Sequence, residues 1–382
     1  MNLKINNFKC FEEQEIPFGQ ITVLAGANSV GKSSVVQALL LCRMVIEKMR
    51  KKDSLQEVIE EKPIIVPNET FSLNGPFLLN LGNSAQVLNR NSAEKIIKFN
   101  ISAQDTILNV ALAVPDSNDS YNLIEDTIIL STKSDNFNAI NLTHKSFYYL
   151  NAERIGPRIR HEVDDLPYLH TGWSGEYTVQ IVGGNKILPI ALDRCFDENS
   201  TKSLLEQSRL WLDYITPGSK FFDPSLITGI KSAEIKFGDD RPTNVGFGLS
   251  YVLPIIVNGL IAEKGAMFIV ENPEAHLHPL GQSRIGQFLA KIAAAGVQVV
   301  VETHSEHVIN GIRIAALKDT ISTTDVRINF FDRDENDKIK LIPILMNDAG
   351  DLTSYPKGFF DQEQRDMAEI IRQKRNKMGN KS

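Results

Sequence analysis

The chain has 382 residues, of which 42% are hydrophobic and 23% charged, with a formal net charge of −6 at pH 7. This composition is typical of a globular protein and excludes a globally basic nucleic-acid binder, although a local basic patch remains open. The widely separated Cys10, Cys42 and Cys195 fit no metal-ligand spacing and favour a reducing compartment. No signal-like stretch and no run of about 18 apolar residues is present, so we expect a cytoplasmic protein that does not span a membrane.

A phosphate-binding loop is predicted at residues 26–33, whose sequence GANSVGKS fits the pattern G-x-x-x-x-G-K-[ST]. An apolar run at 21–25 predicts a buried strand before the loop, and residues 34–49 predict a helix after it. Glycines let the backbone N–H groups approach phosphate oxygens, and the helix N-terminus favours an anion. Lys32 would contact the β- and γ-phosphates of a nucleotide, and the Ser33 hydroxyl would ligate Mg²⁺. The predicted nucleotide-binding residues here are Gly26, Asn28, Ser29, Val30, Gly31, Lys32, Ser33 and Ser34.

The middle of the chain is predicted to be rich in short strands. Residues 1–25 indicate two or three strands, and short apolar patches separated by turns continue through residues 63–150. A buried strand at 147–150 precedes a polar turn at 151–158 that carries Arg154 and Arg158. A helix is predicted at 201–214. No internal repeat and no long heptad region is present, which argues against a coiled-coil arm.

Residues 244–315 return to alternating strands and helices. A glycine-serine loop at 244–250 precedes an apolar helix at 251–257. Strands at 266–270 and 297–301 flank a helix at 281–295, and each strand ends in polar residues. This order predicts an α/β domain with a largely parallel sheet, whose strand ends converge on the phosphate loop. Further strands at 326–331 and 339–345 precede an aromatic segment at 355–361 and an amphipathic charged helix.

Two strand ends carry the chemistry that a nucleotide site needs. The apolar strand that ends in Glu271 is typical of a Walker B element, which holds Mg²⁺, so Ser33 and Glu271 are the predicted metal ligands. The next strand ends in Glu302-Thr303-His304-Ser305, which places His304 where it could sense a γ-phosphate.

Together these motifs resemble the ABC-type ATPases of the RecF/SMC/OLD branch. Residues 7–11 are similar to the opening of that branch, 271–279 look like its Walker B and D-loop, 245–250 occupy the place of its signature, and His304 matches its switch histidine. The resemblance covers residues 1–45 and 240–312. Residues 151–158 and 355–361 also resemble standalone bacterial ATPases of anti-phage defence, which include PtuA-like and retron-associated members that act beside a nuclease or toxin.

The resemblance implies an α/β, ABC-ATPase (P-loop NTPase) fold with a mixed N-terminal β-layer, a largely parallel core sheet and no long coiled coil. Residues 1–62 would form the N-terminal half of the ATPase domain with Walker A, and 63–240 a β-rich and helical insertion that completes the ATPase lobe. Residues 241–346 would carry the signature, Walker B and switch histidine, and 347–382 a C-terminal extension. ATP and Mg²⁺ would be the cofactors, with Lys9 near the nucleotide.

The resemblance also implies a composite site. ATP would lie between two subunits, with Gly246, Gly248 and Ser250 of one subunit touching the γ-phosphate held by the other. A homodimer or larger assembly is therefore expected, together with an effector protein, a nuclease or toxin, as a further partner; DNA is a possible partner, and a membrane is not expected.

The chain departs from this family at the end of the Walker B strand. Relatives commonly carry Asp-Glu there, whereas this chain has Glu271-Asn272. An amide cannot act as a general base near neutral pH, so Glu274 would take that role. The predicted catalytic set is Glu271, Asn272, Glu274 and His304, and hydrolysis is expected to be slow.

Several interpretations stay open at this level. The favoured function is an ATPase that dimerises on ATP and acts as a sensor or regulator in a defence or DNA-related complex. The alternatives are a weakly hydrolysing, nucleotide-gated scaffold that holds a nuclease or toxin, and a RecF-like repair ATPase. No acidic Toprim-like cluster and no His-Asn-His pattern follows residue 312, so cutting would need a partner.

Four local features also allow two readings each. His276 and His278 could hold zinc or only shape a loop, and the loop is favoured. Ser305 could belong to a hydrolase triad but lacks a nucleophile-elbow pattern. Arg154 and Arg158 could bind phosphate, DNA or a neighbouring subunit, or could hold a loop. The segment 355–361 is favoured as a packing element over a site because it is aromatic.

Overall fold

A computed structural model describes residues 1–51, 69–116, 120–132, 140–219, 221–227 and 229–379. The boundary predicted between residues 62 and 63 lies outside these ranges. In the described part of the chain the strands are β1 (Asn2–Phe8), β2 (Phe11–Pro17), β3 (Ile21–Gly26), β4 (Thr70–Ser72), β5 (Ile96–Ala103), β6 (Thr106–Ala113), β7 (Asn122–Thr132), β8 (Phe147–Leu150), β9 (Arg160–Glu162), β10 (Phe222–Ile227), β11 (Ser232–Phe237), β12 (Met267–Glu271), β13 (Gln298–Glu302), β14 (Val326–Arg333) and β15 (Ile339–Ile344). The α-helices are α1 (Lys32–Lys51), α2 (Ser84–Val87), α3 (Thr178–Gly184), α4 (Leu204–Ile215), α5 (Phe247–Ile261), α6 (Pro279–Ala294), α7 (Glu306–Leu317) and α8 (Gln362–Gly379).

The core sheet has the strand order β15-β14-β3-β13-β12-β8. Its pairings are parallel except for the edge strand β15, which runs antiparallel to β14. The four strands predicted at 21–25, 147–150, 266–270 and 297–301 are confirmed as β3, β8, β12 and β13, each with ends within one residue. The predicted α/β fold with a largely parallel core sheet is therefore confirmed.

A second sheet forms the N-terminal β-layer, in the order β2-β1-β5-β6-β7-β4. It combines the first two strands with strands from the predicted β-rich middle, and its pairings are all antiparallel. The middle of the chain is therefore not one unit: β8 joins the core sheet, and β9, β10 and β11 form a third, separate sheet.

Helix α1 fills the space between the antiparallel layer and the core sheet. In β12 and β13 the side chains of Met267, Ile269 and Val300 join the same apolar cluster as α1. Alternate residues of these strands, such as Phe268 and Val301, join the cluster on the opposite face with α5, α6 and α7. Both faces of the core strands are thus covered, which explains why their sequences are continuous apolar runs and do not alternate.

Helix α5 corrects one prediction. The glycine-serine loop predicted at 244–250 ends at Gly246, and the helix predicted at 251–257 begins at Phe247. Gly248 lies in the first turn of this helix, and the space beside it is filled: a Cβ there would lie 2.8 Å from the carbonyl oxygen of His276. A tertiary contact therefore selects glycine at a position where local propensity favours a loop.

The longest described helix is α1, with 20 residues, so the described part of the chain contains no long coiled-coil arm. Among the described residues, no helix combines the length and the apolar character needed to cross a bilayer.

A buried arginine anchors α1 to the loop that precedes β8. The Arg43 side chain is 2% exposed, and its guanidinium donates to the carbonyl oxygens of Leu142 (2.9 Å), His144 and Lys145 (3.0 Å). Its Nε also donates to the Glu47 carboxylate at 3.0 Å. One side chain thereby satisfies three carbonyl groups that would otherwise lack partners.

We expect Arg43→Met to lower the free energy of unfolding by about 2–4 kcal/mol, because it leaves buried carbonyl groups without donors. Urea denaturation followed by circular dichroism measures the change. Lys51→Met, at the exposed end of the same helix, is the matched control and should change stability little. Equal stability losses in the two variants would contradict this account of Arg43.

Candidate nucleotide-binding site

The phosphate loop joins β3 to α1 in a conformation that requires its glycines. Gly26 and Gly31 have φ values of 134° and 99°. A Cβ on Gly26 would lie 2.2 Å from the carbonyl oxygen of Phe331, and a Cβ on Gly31 would lie 2.6 Å from Cζ of Phe11. The loop is thus pressed between β14 and the β1–β2 turn, and no larger residue fits at either end.

Lys32 lies over this loop. Its ammonium group donates to the carbonyl oxygens of Gly26 (3.1 Å) and Ala27, and its side chain is 4% exposed. Burial lowers the pKa of Lys32, while the nearby carboxylates of Glu302 and Glu274 act to raise it. The first turn of α1 contains no acidic residue, so the helix start and the lysine together form an anion site.

Ser33 contacts a carboxylate that sequence reasoning did not select. Its hydroxyl donates to Oε1 of Glu302 at 2.8 Å. Glu302 ends β13, which pairs directly with β3, and the residue is 5% exposed. Burial raises the pKa of Glu302, and the hydrogen bond from Ser33 acts to lower it. The sequence signal available for it is an acidic residue directly after the apolar run at 297–301.

Glu271 ends the next strand, β12, in register with Glu302. The Tyr149 hydroxyl donates to Oε1 of Glu271 at 2.7 Å, and Nδ2 of Asn151 donates to that hydroxyl at 3.0 Å. Burial and the neighbouring charge of Glu302 raise the pKa of Glu271 to about 7. The predicted Walker B carboxylate is therefore part of a pair of neighbouring acids.

Asn272 turns the chain sharply after this strand. Its φ is 45°, a left-handed conformation that asparagine adopts more readily than glutamate. Its N–H donates to the carbonyl oxygen of Glu302 at 2.8 Å, and its side-chain oxygen is buried without a hydrogen-bond partner. The residue that departs from the family pattern thus suits the local backbone.

Arg154 stabilises this turn through hydrogen bonds to backbone carbonyl groups. Its guanidinium donates to the carbonyl oxygens of Glu271 (2.7 Å), Asn272 (2.6 Å) and Asn151 (3.1 Å). The side chain is 4% exposed, and burial lowers its pKa to about 10. Arg158, in contrast, is exposed. Of the two readings left open for Arg154, these contacts favour the one in which it holds a loop.

Glu274 and His304 meet beside the phosphate loop. One carboxylate oxygen of Glu274 accepts the backbone N–H of His304 at 2.8 Å, and the other accepts the Thr303 hydroxyl at 2.7 Å. Partial burial and the positive charge of Lys32 lower the pKa of His304. Both effects favour the uncharged imidazole, which can act as a hydrogen-bonding group.

Two clefts flank the loop. The first, of about 740 Å³, contains Lys9, Ser29, Gly31, Lys32, Ser33 and Ser34, together with Arg90 and Arg333, which sequence reasoning missed. The second, of about 530 Å³, is lined by Gly26, Glu274, Thr303, His304, Phe359 and Phe360. Residues of the phosphate loop therefore line two separate clefts, one with Lys9, Arg90 and Arg333 and one with Glu274 and His304.

Three other predicted nucleotide-binding residues differ from one another in their surroundings. The Nζ of Lys9 donates to the side-chain oxygen of Gln37 at 2.7 Å, so this lysine is tied to α1. Val30 points into the apolar core, and only its backbone can face a ligand. Asn28 is exposed and lines neither cleft.

The predicted signature residues lie apart from the phosphate loop of their own chain. Gly246 caps α5, and Gly248 and Ser250 follow within its first turns. None of the three lines either cleft, and Ser250 borders a separate small cavity beside β11. One chain therefore does not bring the signature and the phosphate loop together.

The two alternative chemistries have structural explanations. His276 contacts the rings of Phe247 and Tyr251, and His278 accepts the N–H of Leu280 at the start of α6. Among the described residues, no group of three or more His, Cys, Asp or Glu side chains could hold a metal ion alone. Ser305 caps α7 by accepting the N–H groups of His307 and Val308. Loop and cap roles thus account for these residues.

The segment at 355–361 packs against the core. Phe359 is 4% exposed, contacts Phe330 and stacks on Phe360 with ring centroids 4.1 Å apart. The same two phenylalanines line the cleft that contains His304. The segment is therefore both a packing element and a wall of the site.

Comparison with protein families identifies the family to which this chain belongs. The AAA ATPase domain family matches residues 1–160 and 231–309, which is more than half of the chain. The chain belongs to this family. The site is accordingly that of an ATP-binding ATPase domain, and the gap in the match corresponds to the region of α3, α4 and β10. A second family, of proteins of unknown function (DUF3696), matches residues 321–370.

Solved structures similar to this ATPase domain are head domains of SMC proteins. An SMC head bound to the C-winged helix domain of ScpA is 14% identical, with 91% of this chain and 98% of that chain covered and a TM-score of 0.49. The SMC head domain from Thermotoga maritima is 13% identical, with 90% and 97% covered and a TM-score of 0.42. An Smc head domain with an extended coiled coil, bound to the C-terminal domain of ScpA derived from Pyrococcus furiosus, is 11% identical, with 97% and 98% covered and a TM-score of 0.46. None of the curated proteins compared with the chain matches it.

We expect Arg154→Met to lower the free energy of unfolding by about 2–3 kcal/mol and to reduce ATP turnover, because the carbonyl groups of Glu271 and Asn272 lose their donor. Urea denaturation and steady-state phosphate release measure the two effects. Arg158→Met, an exposed neighbour, is the control. If both variants behave like the wild type, Arg154 does not hold the turn.

Proposed function

We propose that this ATPase domain dimerises on ATP, hydrolyses it slowly and thereby regulates an effector protein. The proposal rests on one observation: the phosphate loop and the signature residues, which are the two parts of the expected composite site, lie apart in one chain. The phosphate loop opens into two clefts, and neither is lined by Gly246, Gly248 or Ser250. Phe247, beside them, is 55% exposed. A second copy of the chain would supply the missing N-terminus of α5 to the terminal phosphate.

In this proposal the phosphate loop binds the phosphates of the nucleotide and takes part in holding Mg²⁺. Backbone N–H groups of residues 26–33 and the ammonium group of Lys32 would bind the phosphates. Ser33 and Glu271 would hold Mg²⁺, whose charge offsets that of the phosphate oxygens. The fit to a cation is supported by a buried carboxylate oxygen of Glu302 that lacks a hydrogen-bond partner beside Ser33.

Hydrolysis would depend on Glu274 and His304. We assign to Glu274 the proton of the attacking water, because its carboxylate lies in the cleft with His304 and Gly26. The uncharged His304 would hydrogen-bond the terminal phosphate. Asn272 occupies the position where relatives carry the base and cannot accept a proton, so turnover would be slow.

The proposed partner is an effector, a nuclease or toxin, in a bacterial anti-phage or DNA-related complex. The resemblance to standalone defence ATPases motivates this assignment. The sequence after residue 312 carries no Toprim-like acidic cluster and no His-Asn-His pattern, so cutting would need a partner. A weakly hydrolysing scaffold that holds the effector is the second candidate, favoured by Asn272, and the ATPase rate measured with and without DNA separates it from the first. Salt-sensitive DNA binding would favour a RecF-like repair role.

We expect Glu274→Gln to reduce kcat at least about 100-fold while ATP affinity changes little, because the amide keeps the size of the side chain but cannot take a proton. Single-turnover hydrolysis and equilibrium binding of a fluorescent ATP analogue separate the two effects. Glu306→Gln, a half-buried acid that lines the same cleft, is the control. Wild-type turnover in the Glu274 variant would remove this residue from the mechanism.

A second prediction concerns the signature. Gly246 has a φ of −61°, and a Cβ there meets no atom within 4 Å, so Gly246→Ala leaves the single chain intact. We expect this variant to keep its melting temperature and nucleotide affinity but to weaken ATP-dependent dimerisation at least about tenfold, since the methyl group would lie against the partner's phosphate. Light scattering with ATP in a Glu274→Gln background measures the mass. Thr243→Ala is the exposed control. Unchanged dimerisation would argue against the composite site.

A further inference from the structure

At the end of β13, only one of the two carboxylate oxygens of Glu302 has a hydrogen-bond partner. Glu302 accepts the Ser33 hydroxyl through Oε1 at 2.8 Å. Its second oxygen, Oε2, is buried and has no hydrogen-bond partner. An unpaired carboxylate oxygen in a buried place is unfavourable unless a cation or donor reaches it.

The neighbouring acid is already engaged elsewhere. Glu271 accepts the Tyr149 hydroxyl at 2.7 Å, on the side of β12 that faces β8 and away from the phosphate loop. Strand β13 lies between β12 and the loop strand β3. Glu302 is therefore one strand spacing, about 4.8 Å, closer to the loop strand than Glu271.

We propose that Glu302, acting with the Ser33 hydroxyl, is the main protein carboxylate that holds the Mg²⁺ of bound nucleotide. Glu271 then acts as a positioning residue behind it. This inference rests on the proposed function, in which the loop takes Mg²⁺-ATP, and changes the metal ligand assigned to the Walker B strand. Oxygen ligands at the end of a strand beside the loop are the kind that Mg²⁺ prefers.

The cation would depend on the nucleotide. No group of three or more metal-binding side chains is present in the described part of the chain, so phosphate oxygens and water must complete the coordination. Lys32, over the same loop, opposes a cation that arrives without phosphates. The role of Glu302 should therefore appear as a difference between nucleotide affinity with and without Mg²⁺.

The experiment measures the affinity of full-length protein for a fluorescent ADP analogue, once with Mg²⁺ and once with EDTA. For the wild type we expect Mg²⁺ to tighten binding at least about tenfold. Glu302→Gln, whose amide oxygen can still accept the Ser33 hydroxyl, should bind as the wild type does in EDTA and lose most of the gain from Mg²⁺. Glu271→Gln should keep most of that gain. Glu302→Asp, which restores a carboxylate, should recover part of it.

Each outcome decides between the assignments. If Glu302→Gln keeps the full gain from Mg²⁺ while Glu271→Gln loses it, Glu271 is the ligand and the inference is wrong. If Glu302→Gln and Glu302→Asp both weaken binding in EDTA, Glu302 only shapes the loop, and the inference is equally wrong. If the wild type binds no nucleotide in either buffer while its melting temperature shows a folded chain, the proposed function fails first.

Discussion

The site depends on the balance of charge between three carboxylates and two buried cationic side chains at the carboxyl ends of the core strands. Glu271, Glu302 and Glu274 end neighbouring strands or the turn after them, and Lys32 and Arg154 are the nearby positive charges. The parallel register places Glu271 directly beside Glu302, so burial and the charge of Glu302 together raise the pKa of Glu271. Burial and the charge of Glu274 act in the same direction on the pKa of Glu302. Such an excess of negative charge in a buried place is stable only if protons or further cations offset it.

Much of the fold could be predicted because its signals are local. Core strands covered on both faces appear as continuous apolar runs, and the loop between β3 and α1 has a fixed glycine spacing. The start of α5 could not be predicted, because glycine disfavours a helix locally, while the close approach of the His276 carbonyl group requires glycine at position 248. A contact with a residue 28 positions later leaves no trace in local propensity. The third sheet, of β9, β10 and β11, also depends on contacts between distant parts of the chain, and the sequence did not predict it.

The site was predictable in its parts but not in its pairings. Ser33 and Glu302 are 269 residues apart and meet only because β13 pairs with β3. Arg154 looked equally able to bind a ligand or hold a loop, and its burial under the carbonyl groups of Glu271 and Asn272 was visible only in three dimensions. Asn272 looked like a lost base, whereas its left-handed backbone gives a structural reason for asparagine.

The C-terminal segment connects this site to the rest of the chain. Phe359 and Phe360 line the cleft that contains His304, and the carboxylate of Asp361 accepts the N–H of Gly358 at 3.1 Å, just before α8 begins. A group that fills this cleft would therefore contact Phe359 and Phe360, in the segment that precedes α8. Because Phe359 packs against Phe330 of β14, this wall of the cleft is fixed by the core sheet. An aromatic segment far from the phosphate loop in sequence thus belongs to the site because the core sheet holds it there.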